Sequence, residues 1–525
     1  MLELFKRQIP ETPNVSQLPD VKISNESVRT KASRVFRNAT RMFKAGVTDR
    51  LTSKWPSSPL PADLIIERYQ RILVARSREQ CANNDYGKQY LRLVHQNIVG
   101  PQGILLQAQI KNGSGKLDNK ANDAIEMAWI QWGKKSICDI QGKKSWRSIQ
   151  RACAISAAKD GEFFLRIIRG QDAGQYGFAL QLIDAQRCPV HYSEKLKGGR
   201  FIRQGIEFNP FGRPIAYYFD ASTEEEIQYR YGTANYIRVP AEDVIHGFLD
   251  DITGQKRGLP WTATSLFRMK QLAEFEDSAI TNARISANKM GFIQWDKDAE
   301  GPEYDPEEDE ILIESQAGEF PVLPQGAQLK EWSPNYPTGE FLPFHKAMLR
   351  SMASGMGVLY NNLASDLEGV NFSSIRQGTL DEREHWKELQ QWLIETLVEP
   401  VYSAWLEYSL LKGLINKGNV PLKAIDIDRY KNVSWQPRRW AWIDPSSDVS
   451  AAEKSKNNML TSPGSLIREQ GKDPQTVWDE TARDIKAMID SYIKHDIPKE
   501  VAEEMVLMSM GKKQTGAVGR PKEEI

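Results

Sequence analysis

Residues 371–413 read NFSSIRQGTLDEREHWKELQQWLIETLVEPVYSAWLEYSLLKG. Trp386, Leu389, Leu393, Leu397, Val401 and Trp405 recur in steps of three or four, which aligns them as one stripe along a helix. Ser374 and Gln377 have capping-box spacing at its start, and Gly413 suits a left-handed C-terminal cap. Pro400 lies inside the pattern. It lacks an N–H and crowds the preceding turn, so a kink is expected there. A long, kinked, Trp-rich helix led by a polar loop has the character of a strut that bears force, although an ordinary core helix carries the same stripe.

Upstream of this helix, residues 354–374 are punctuated by Gly and Asn and read as a mobile loop. Before the loop, residues 340–355 form a helix with Phe341, Phe344, Met348 and Met352 on one face. An earlier helix opens with Pro260 in its first turn and runs to about Lys289. Thirty residues at ~1.5 Å each make a rod of about 45 Å. Its stripe is Leu266, Met269, Leu272, Phe275, Ala279 and Ala283. Between the two helices, residues 291–338 are extended and Pro-rich. Their first half carries Asp296, Asp298, Glu300, Glu303, Asp305, Glu307, Glu308, Asp309 and Glu310. Two helices flanking such an insert make a hairpin with a head at its far end.

Residues 61–160 read mainly helical. Asp63 is placed to cap a helix through Arg78, Asn84 or Asp85 to start one ending near Gly100, and further helices follow over 118–132 and 145–160. Strands are expected over 162–170 and 176–185. A pair follows over 201–219, split by the turn Asn209-Pro210-Phe211-Gly212. These segments form a mixed α+β lobe. Beyond the strut, Trp435, Trp440 and Trp442 surround Arg438 and Arg439, and Asp444-Pro445, Ser462-Pro463 and Asp473-Pro474 each start a short helix. The last fifteen residues, from Gly511, read as a polar tail.

The chain has 525 residues, enough for two or more domains or lobes, and carries 69 basic and 69 acidic side chains. Zero net charge argues against strong electrostatic capture of DNA as its task. Locally the balance breaks: from Arg29 to Lys54 there are eight Lys or Arg and one acid, Asp49. That flexible N-terminal arm, residues 1–60, is a candidate for nucleic-acid contact through Arg34, Arg37 and Arg41, or for a solvated tail. Cys81, Cys138, Cys153 and Cys188 form no CxxC pair, which points to free buried thiols in a reducing compartment. The N-terminus lacks the apolar core of a signal peptide, and no run approaches the ~18 apolar residues of a membrane helix. A soluble protein of the cytoplasm, or one assembled there, is expected.

Catalytic signatures are missing. GSGK at 113–116 has Ile110 in place of the upstream glycine and Leu117 where Ser or Thr would bind magnesium. GKKS at 142–145 has Ile137 in place of that glycine. No HExxH or GxSxG occurs, and the six histidines are scattered. The acids of 296–310 lack EF-hand spacing, so a solvated or interfacial face is favoured over a calcium site. No catalytic residue, cofactor or metal is expected.

The order of elements resembles the lambda-type portal proteins of tailed bacteriophages, encoded by a phage or a prophage. The resemblance covers roughly 60–490. It rests on RQGIEFNPFGRPIAYYF (203–219), VPAEDVIHGFLDDITGQKRGLPWTATSL (239–266), NFSSIRQGTLDERE (371–384), QQWLIETLVEPVYSAWLE (390–407) and WQPRRWAWIDP (435–445). Ser446-Ser447-Asp448 is a departure, where relatives more often carry a Lys-Glu pair. The resemblance implies a mainly helical α+β portal fold that closes into a ring, twelve copies in the virion. It implies a wing at 61–258, stem helices at 259–290 and 339–356, and a clip at 291–338. A tunnel loop at 357–373, a kinked helix and wing return at 374–443, crown helices at 444–498 and a tail at 499–525 complete the map.

The function so implied is a conduit for double-stranded DNA at one capsid vertex, during terminase-driven packaging and during ejection, and a platform for the tail. The implied partners are further copies of the chain, the terminase large subunit, head-completion or adaptor proteins, the major capsid or scaffold protein, and DNA held transiently; no membrane is involved. The virion is the implied location. In a closed ring each side chain recurs once per copy, so a cationic lining would stall a moving duplex. Asn361, Asn362, Ser365, Asp366 and Asn371 suit a loop that touches DNA without trapping it. Glu307, Glu308 and Asp309 suit docking of a basic motor or adaptor surface. A minor capsid or scaffold protein without a channel, and a metal-dependent nucleic-acid-processing enzyme, are the competing readings.

Overall fold

The computed structural model describes residues 50, 53, 56–221, 235–287, 291–295, 327–331, 339–440, 445–495 and 497–509. The chain divides into a unit of Met1–Pro61 and a unit of Ala62–Ile525, and the elements below belong to the second. Helix α1 (Ala62–Asn83) runs past Arg78, with Asp63 inside its first turn and not at its cap. Lys256 claims the Asp63 carboxylate at 2.7 Å instead. Asn84, Asp118 and Ser145 cap α2 (Asp85–Ile98), α3 (Asn119–Trp132) and α4 (Trp146–Asp160), each side chain accepting from backbone N–H groups of the first turn. Strand β1 (Leu105–Ala108) lies between α2 and α3.

Gly161 turns the chain from α4 into β2 (Glu162–Arg169) at φ +88°, and its missing Cβ would sit 2.4 Å from the Leu259 carbonyl carbon. Strand β3 (Phe178–Ile183) follows, then a meander of β4 (Glu194–Lys195), β5 (Phe201–Arg203), β6 (Ile206–Phe208), β7 (Pro214–Asp220) and β8 (Tyr236–Pro240), and finally β9 (Val244–Phe248). All pairings here are antiparallel, in a three-stranded sheet β3-β2-β9 and a five-stranded sheet β4-β5-β6-β7-β8. The 201–219 segment thus yields three strands, not two. An extra tight turn at Gln204-Gly205, both at positive φ, separates β5 from β6. The expected turn at 209–212 is present, with Asn209 Oδ1 accepting from the N–H of Phe211 and Arg213. Period-2 alternation sends Phe163, Leu165 and Ile167 into the main core and Phe164 into a second core shared with Phe208, Tyr217 and Phe219.

Helix α5 (Leu266–Ala287) begins six residues later than Pro260. Residues 261–265 form turns pinned from outside: the Trp261 N–H reaches Ala158 O at 3.0 Å, and Thr262 Oγ1 lies 2.8 Å from Ser77 Oγ. At 22 residues α5 is a rod of about 33 Å, shorter than the sequence implied. Leu266, Met269, Leu272 and Ala279 of its stripe are buried, Phe275 is half-buried and Ala283 is exposed. Strands β10 (Gly291–Trp295) and β11 (Ala327–Glu331) pair antiparallel, so the insert leaves and returns through a ladder. Helix α6 (Phe341–Gly355) comes back along α5, Phe275 stacking on Phe341 at 5.5 Å and Ser265 Oγ donating to Met352 O.

A short helix α7 (Tyr360–Ala364) precedes α8 (Phe372–Leu393). The capping box at Ser374 is overruled: α8 starts one turn fragment earlier, with Asn371 Oδ1 accepting from Ser373 and Ser374 N–H groups. Gln377 bonds forward to Asp381. The break expected at Pro400 takes another form. Residues Ile394–Val398 make a π turn, and α9 (Glu399–Leu411) continues with Pro400 in its first turn, where no N–H is needed. The stripe explains the surplus residue. Each four-residue step overshoots a full α turn by about 40°, and a wider i→i+5 turn brings Leu397, Val401 and Trp405 back into line with Trp386. All six stripe residues are buried. Gly413, at φ +65°, ends α9 in a Schellman motif, with Leu414 N–H reaching Ser409 O and Gly413 N–H reaching Leu410 O.

After a small hairpin, β12 (Asn416–Lys417) with β13 (Val420–Pro421), and a single helical turn α10 (Ile427–Tyr430), strand β14 (Val433–Gln436) pairs with β1. Pro445–Asn457, Pro463–Glu469 and Pro474–Lys494 form α11, α12 and α13. The tail expected from 499 is helical at first: α14 (Lys499–Ser509) buries Ala502 and Val506. The acids at 296–310, including Glu307, Glu308 and Asp309, and the arm residues Arg34, Arg37 and Arg41 lie outside the described residues. No helix among the described residues is long and apolar enough to cross a membrane.

Candidate functional site

The segment between α6 and α8 was expected as a plain loop. It is instead folded onto its neighbours. Gly357, at φ +68°, turns the chain beneath His385, where a Cβ would lie 2.8 Å from the imidazole Nε2. Helix α7 buries Leu363, and Ser365 ends it in the left-handed region at φ +53°. Asp366 then gathers the segment. Its carboxylate accepts from Tyr360 Oη at 2.6 Å, from the Glu368 N–H at 2.9 Å and from Lys346 Nζ of α6 at 3.1 Å. Those bonds, Tyr360's first, hold the Asp366 carboxyl at about 2. Lys346 also reaches Glu368 at 3.0 Å, and the Arg350 guanidinium lies 5.4 Å from the Tyr360 ring centroid.

Of the five polar residues singled out in the sequence, four are engaged within the chain. Asn361 Nδ2 donates to Asp366 O, and the Asn362 carbonyl accepts from Gln89 Nε2 of α2 while its side chain donates to Glu382 of α8. Burial raises the Glu382 carboxyl above its ordinary value against those bonds. Ser365 and Asn371 are exposed, and Asn371 is occupied as the α8 cap. Beside them Leu367 and Phe372 stand out at 69% and 60% exposure, an apolar pair at the tip of an otherwise polar segment. The tie to Lys346 had no sequence signal, because that partner is brought in by packing; the Glu368 N–H, two residues after Asp366, closes an Asx turn whose signal is the aspartate itself.

A second cluster lies under the segment that leads into α5. Glu162 is fully buried and accepts from Arg257 Nη2 at 2.6 Å, Gln70 Nε2 at 2.9 Å, His246 Nε2 at 2.9 Å and the Gly258 N–H at 3.1 Å. Burial alone would raise its carboxyl, but the Arg257 charge and the bonds from His246 and Arg257 outweigh that and hold it at about 2. Burial keeps His246 below its ordinary value, hence neutral and donating through Nε2. Arg257 spends its other N–H groups on the carbonyls of Gln204, Ala185 and Cys188. Every group is satisfied inside the protein, so this cluster is a structural tie between α1, both sheets and the entry to α5. Among the described residues no group of three His, Cys, Asp or Glu side chains is placed to hold a metal. The four cysteines are buried and unpaired.

Residues 48–390 match the family described as phage portal protein, lambda family. A probable portal protein of Halomonas phage phiHAP-1 is 33% identical over 454 residues, which span 85% of this chain and 86% of the relative. Portal protein B of Escherichia phage lambda is 20% identical over 401 residues, 70% of this chain and 72% of the relative. Among solved structures, the neck of an empty gene transfer agent particle, computed with C6 symmetry, is similar at a TM-score of 0.42 and 14% identity, covering 77% of this chain and 94% of that one. Two-thirds of the sequence matches the family, and a relative of nearly full coverage shares one residue in three: the chain belongs to the lambda family of phage portal proteins.

Proposed function

We propose that copies of this chain close into a ring, twelve in the virion, whose axial hole passes double-stranded DNA into the head during terminase-driven packaging and out of it at ejection, and on which the tail is assembled. The observation that carries the reading is the paired rods α5 and α6, with the β10–β11 ladder at one end and the 357–373 segment leaving the other and folding back to latch on Lys346 of α6. This is a stiff hairpin that holds a polar segment at a fixed height, as a conduit lining requires. The segment is the proposed DNA contact. Its exposed Ser365 and Asn371 touch the backbone, while Asn361, Asn362 and Asp366 set its posture. Lys346 is neutralised by Asp366 and Glu368, so the contact carries little net positive charge and a moving duplex is not stalled. No catalytic role is proposed; the energy of translocation comes from the partner.

Negative-stain images of the purified chain test the ring: particles with an axial hole are expected, and monomers or open aggregates overturn it. Alanine at Asn361, Asn362, Ser365, Asp366 and Asn371 is expected to shorten the packaged genome or its retention while rings still assemble. A narrower variant, Ser365→Ala alone, leaves the Asn371 cap of α8 in place and separates contact from posture. Filled heads of normal genome length from both variants would refute the contact. For the acidic stretch, reversing Glu307, Glu308 and Asp309 to lysine is expected to weaken terminase binding at low salt. Unchanged binding there would remove those residues as a docking face.

A further inference from the structure

The zero net charge of the chain conceals a local excess on the packed pair α2 and α4. The exposed side of α2 carries Lys88 and Arg92 one turn apart, and that of α4 carries Arg147 and Arg151 one turn apart. His95 lies among them: the charges that act most strongly on it are Arg151, Arg92 and Arg147, and no carboxylate is among these. After Asp85 the helix α2 has no acid, and α4 has none before Asp160. Arg438, from the segment after β14, adds a further guanidinium at the end of α2, donating to Asn97 Oδ1 at 3.0 Å and to the Gln96 carbonyl.

A helix C-terminus attracts cations, and that accounts for part of this cluster. Arg438 satisfies the Gln96 carbonyl and Arg147 the Pro101 carbonyl. It does not account for Arg92 and Arg151. Arg92 donates one bond, to Gln89 Oε1 at 2.9 Å, and Arg151 has no hydrogen-bond or ion-pair partner among the described residues. Both are exposed. Like charges gathered on two packed helices, with no bonded counter-ion among the described residues, raise the energy of the free surface, and a polyanion relieves it. Guanidinium forks suit phosphate oxygens, which they bind in pairs.

We infer that the exposed faces of α2 and α4 form a phosphate-binding surface for double-stranded DNA, built by Arg92, Arg147 and Arg151 with Lys88 at its border; Gln89, which accepts from Arg92, also ties α2 to Asn362, so the surface adjoins the 357–373 segment without including it. The ligand rests on the conduit reading, in which DNA is the cargo; the surface itself does not. Its three arginines fix backbone phosphates without reading sequence. In a closed ring the patch recurs once per copy, so the copies together offer a circle of such contacts. It lies on neither α5 nor α6.

Fluorescence anisotropy of a labelled duplex against the purified full chain tests this. Arg92→Gln with Arg147→Gln and Arg151→Gln is expected to weaken binding at least ~10-fold near 100 mM salt and to lower the slope of log K on log salt by about 3. Arg147 also holds a backbone carbonyl, so the pair Arg92→Gln and Arg151→Gln is a second variant, expected to lower the slope by about 2. Arg92→Lys with Arg151→Lys is expected to keep most of the binding. Arg68→Gln with Arg71→Gln, on exposed α1 positions, is expected to leave the slope nearly unchanged. Unaltered DNA binding in the first two variants overturns the surface, as does an equal loss in the α1 control. A peptide of residues 296–310 that binds the patch as tightly as the duplex would assign it to an acidic protein segment and overturn DNA as the ligand. These readouts need no packaged heads, so they stand or fall apart from the loop variants.

Discussion

Arg257→Met is expected to cost about 3–5 kcal/mol, measured as a fall in the denaturant midpoint at fixed protein concentration. The reason is what it leaves behind. Glu162 stays fully buried with Gln70, His246 and the Gly258 N–H around it, but the guanidinium bonded to it is gone. A buried anion without its counter-charge loses far more than one hydrogen bond. The pH dependence gives a second check. Folding lowers the Glu162 pKa from 4.5 to about 2, so its contribution is fully present above about pH 5 and is lost as pH falls toward 2. His246 is also held below its ordinary 6.5, so it too favours the folded chain at neutral pH and opposes it in acid. The wild-type chain should therefore lose stability on acidification. The gap between it and Arg257→Met should narrow, because a protonated Glu162 needs no partner and Arg257 is then the stranded ion. A gap that stays constant from pH 7 to 3 would show that the pair is not the source of the loss. Replacing both residues together with apolar side chains of similar volume should recover much of the stability.

Trp405→Ala is the second large effect, also about 3–5 kcal/mol. Trp405 is fully buried at the centre of an aromatic cluster, with ring centroids 4.9 Å from Trp129, 5.9 Å from Tyr402 and 6.1 Å from Trp132. Truncation leaves a cavity that rings on three sides cannot fill without leaving their rotamers. It also removes a donor: Trp405 Nε1 bonds Tyr176 Oη at 3.0 Å, and that hydroxyl lies 3.0 Å from Ser409 Oγ. Trp405→Phe separates the two terms, since it keeps most of the volume and loses the N–H. A midpoint for Trp405→Phe as low as that for Trp405→Ala would place the loss in the hydrogen bond. A midpoint near wild type for both would remove the cluster from the stabilising core.

Local chemistry was legible in the sequence where it is self-sufficient. Asn84, Asp118 and Ser145 act as caps, and Gly413 as a left-handed stop, because each satisfies backbone groups within one turn of itself. The long stripe from Trp386 to Trp405 was legible for the same reason. Its four-residue steps also held the mark of the π turn, which Pro400 overshadowed. Elements set from a distance were not legible. The start of α5 depends on Ala158 and Ser77, and the fold of the 357–373 segment depends on Gln89, Lys346 and Glu382. A run of Asn and Asp looks free in a sequence until its partners arrive. The basic faces of α2 and α4 escaped for a related reason: summed charge is blind to which helix faces meet.

The Glu162 tie has a consequence for biosynthesis. The carboxylate emerges from the ribosome 95 positions ahead of the arginine that neutralises it. At about 5–20 residues per second, that leaves the nascent chain waiting some ~5–20 s with an unmatched acid where both sheets will meet. Until Arg257 emerges, the lobe cannot seal around Glu162 without trapping a naked ion. Burial of that carboxylate as an ion therefore waits on the segment that leads into the first rod.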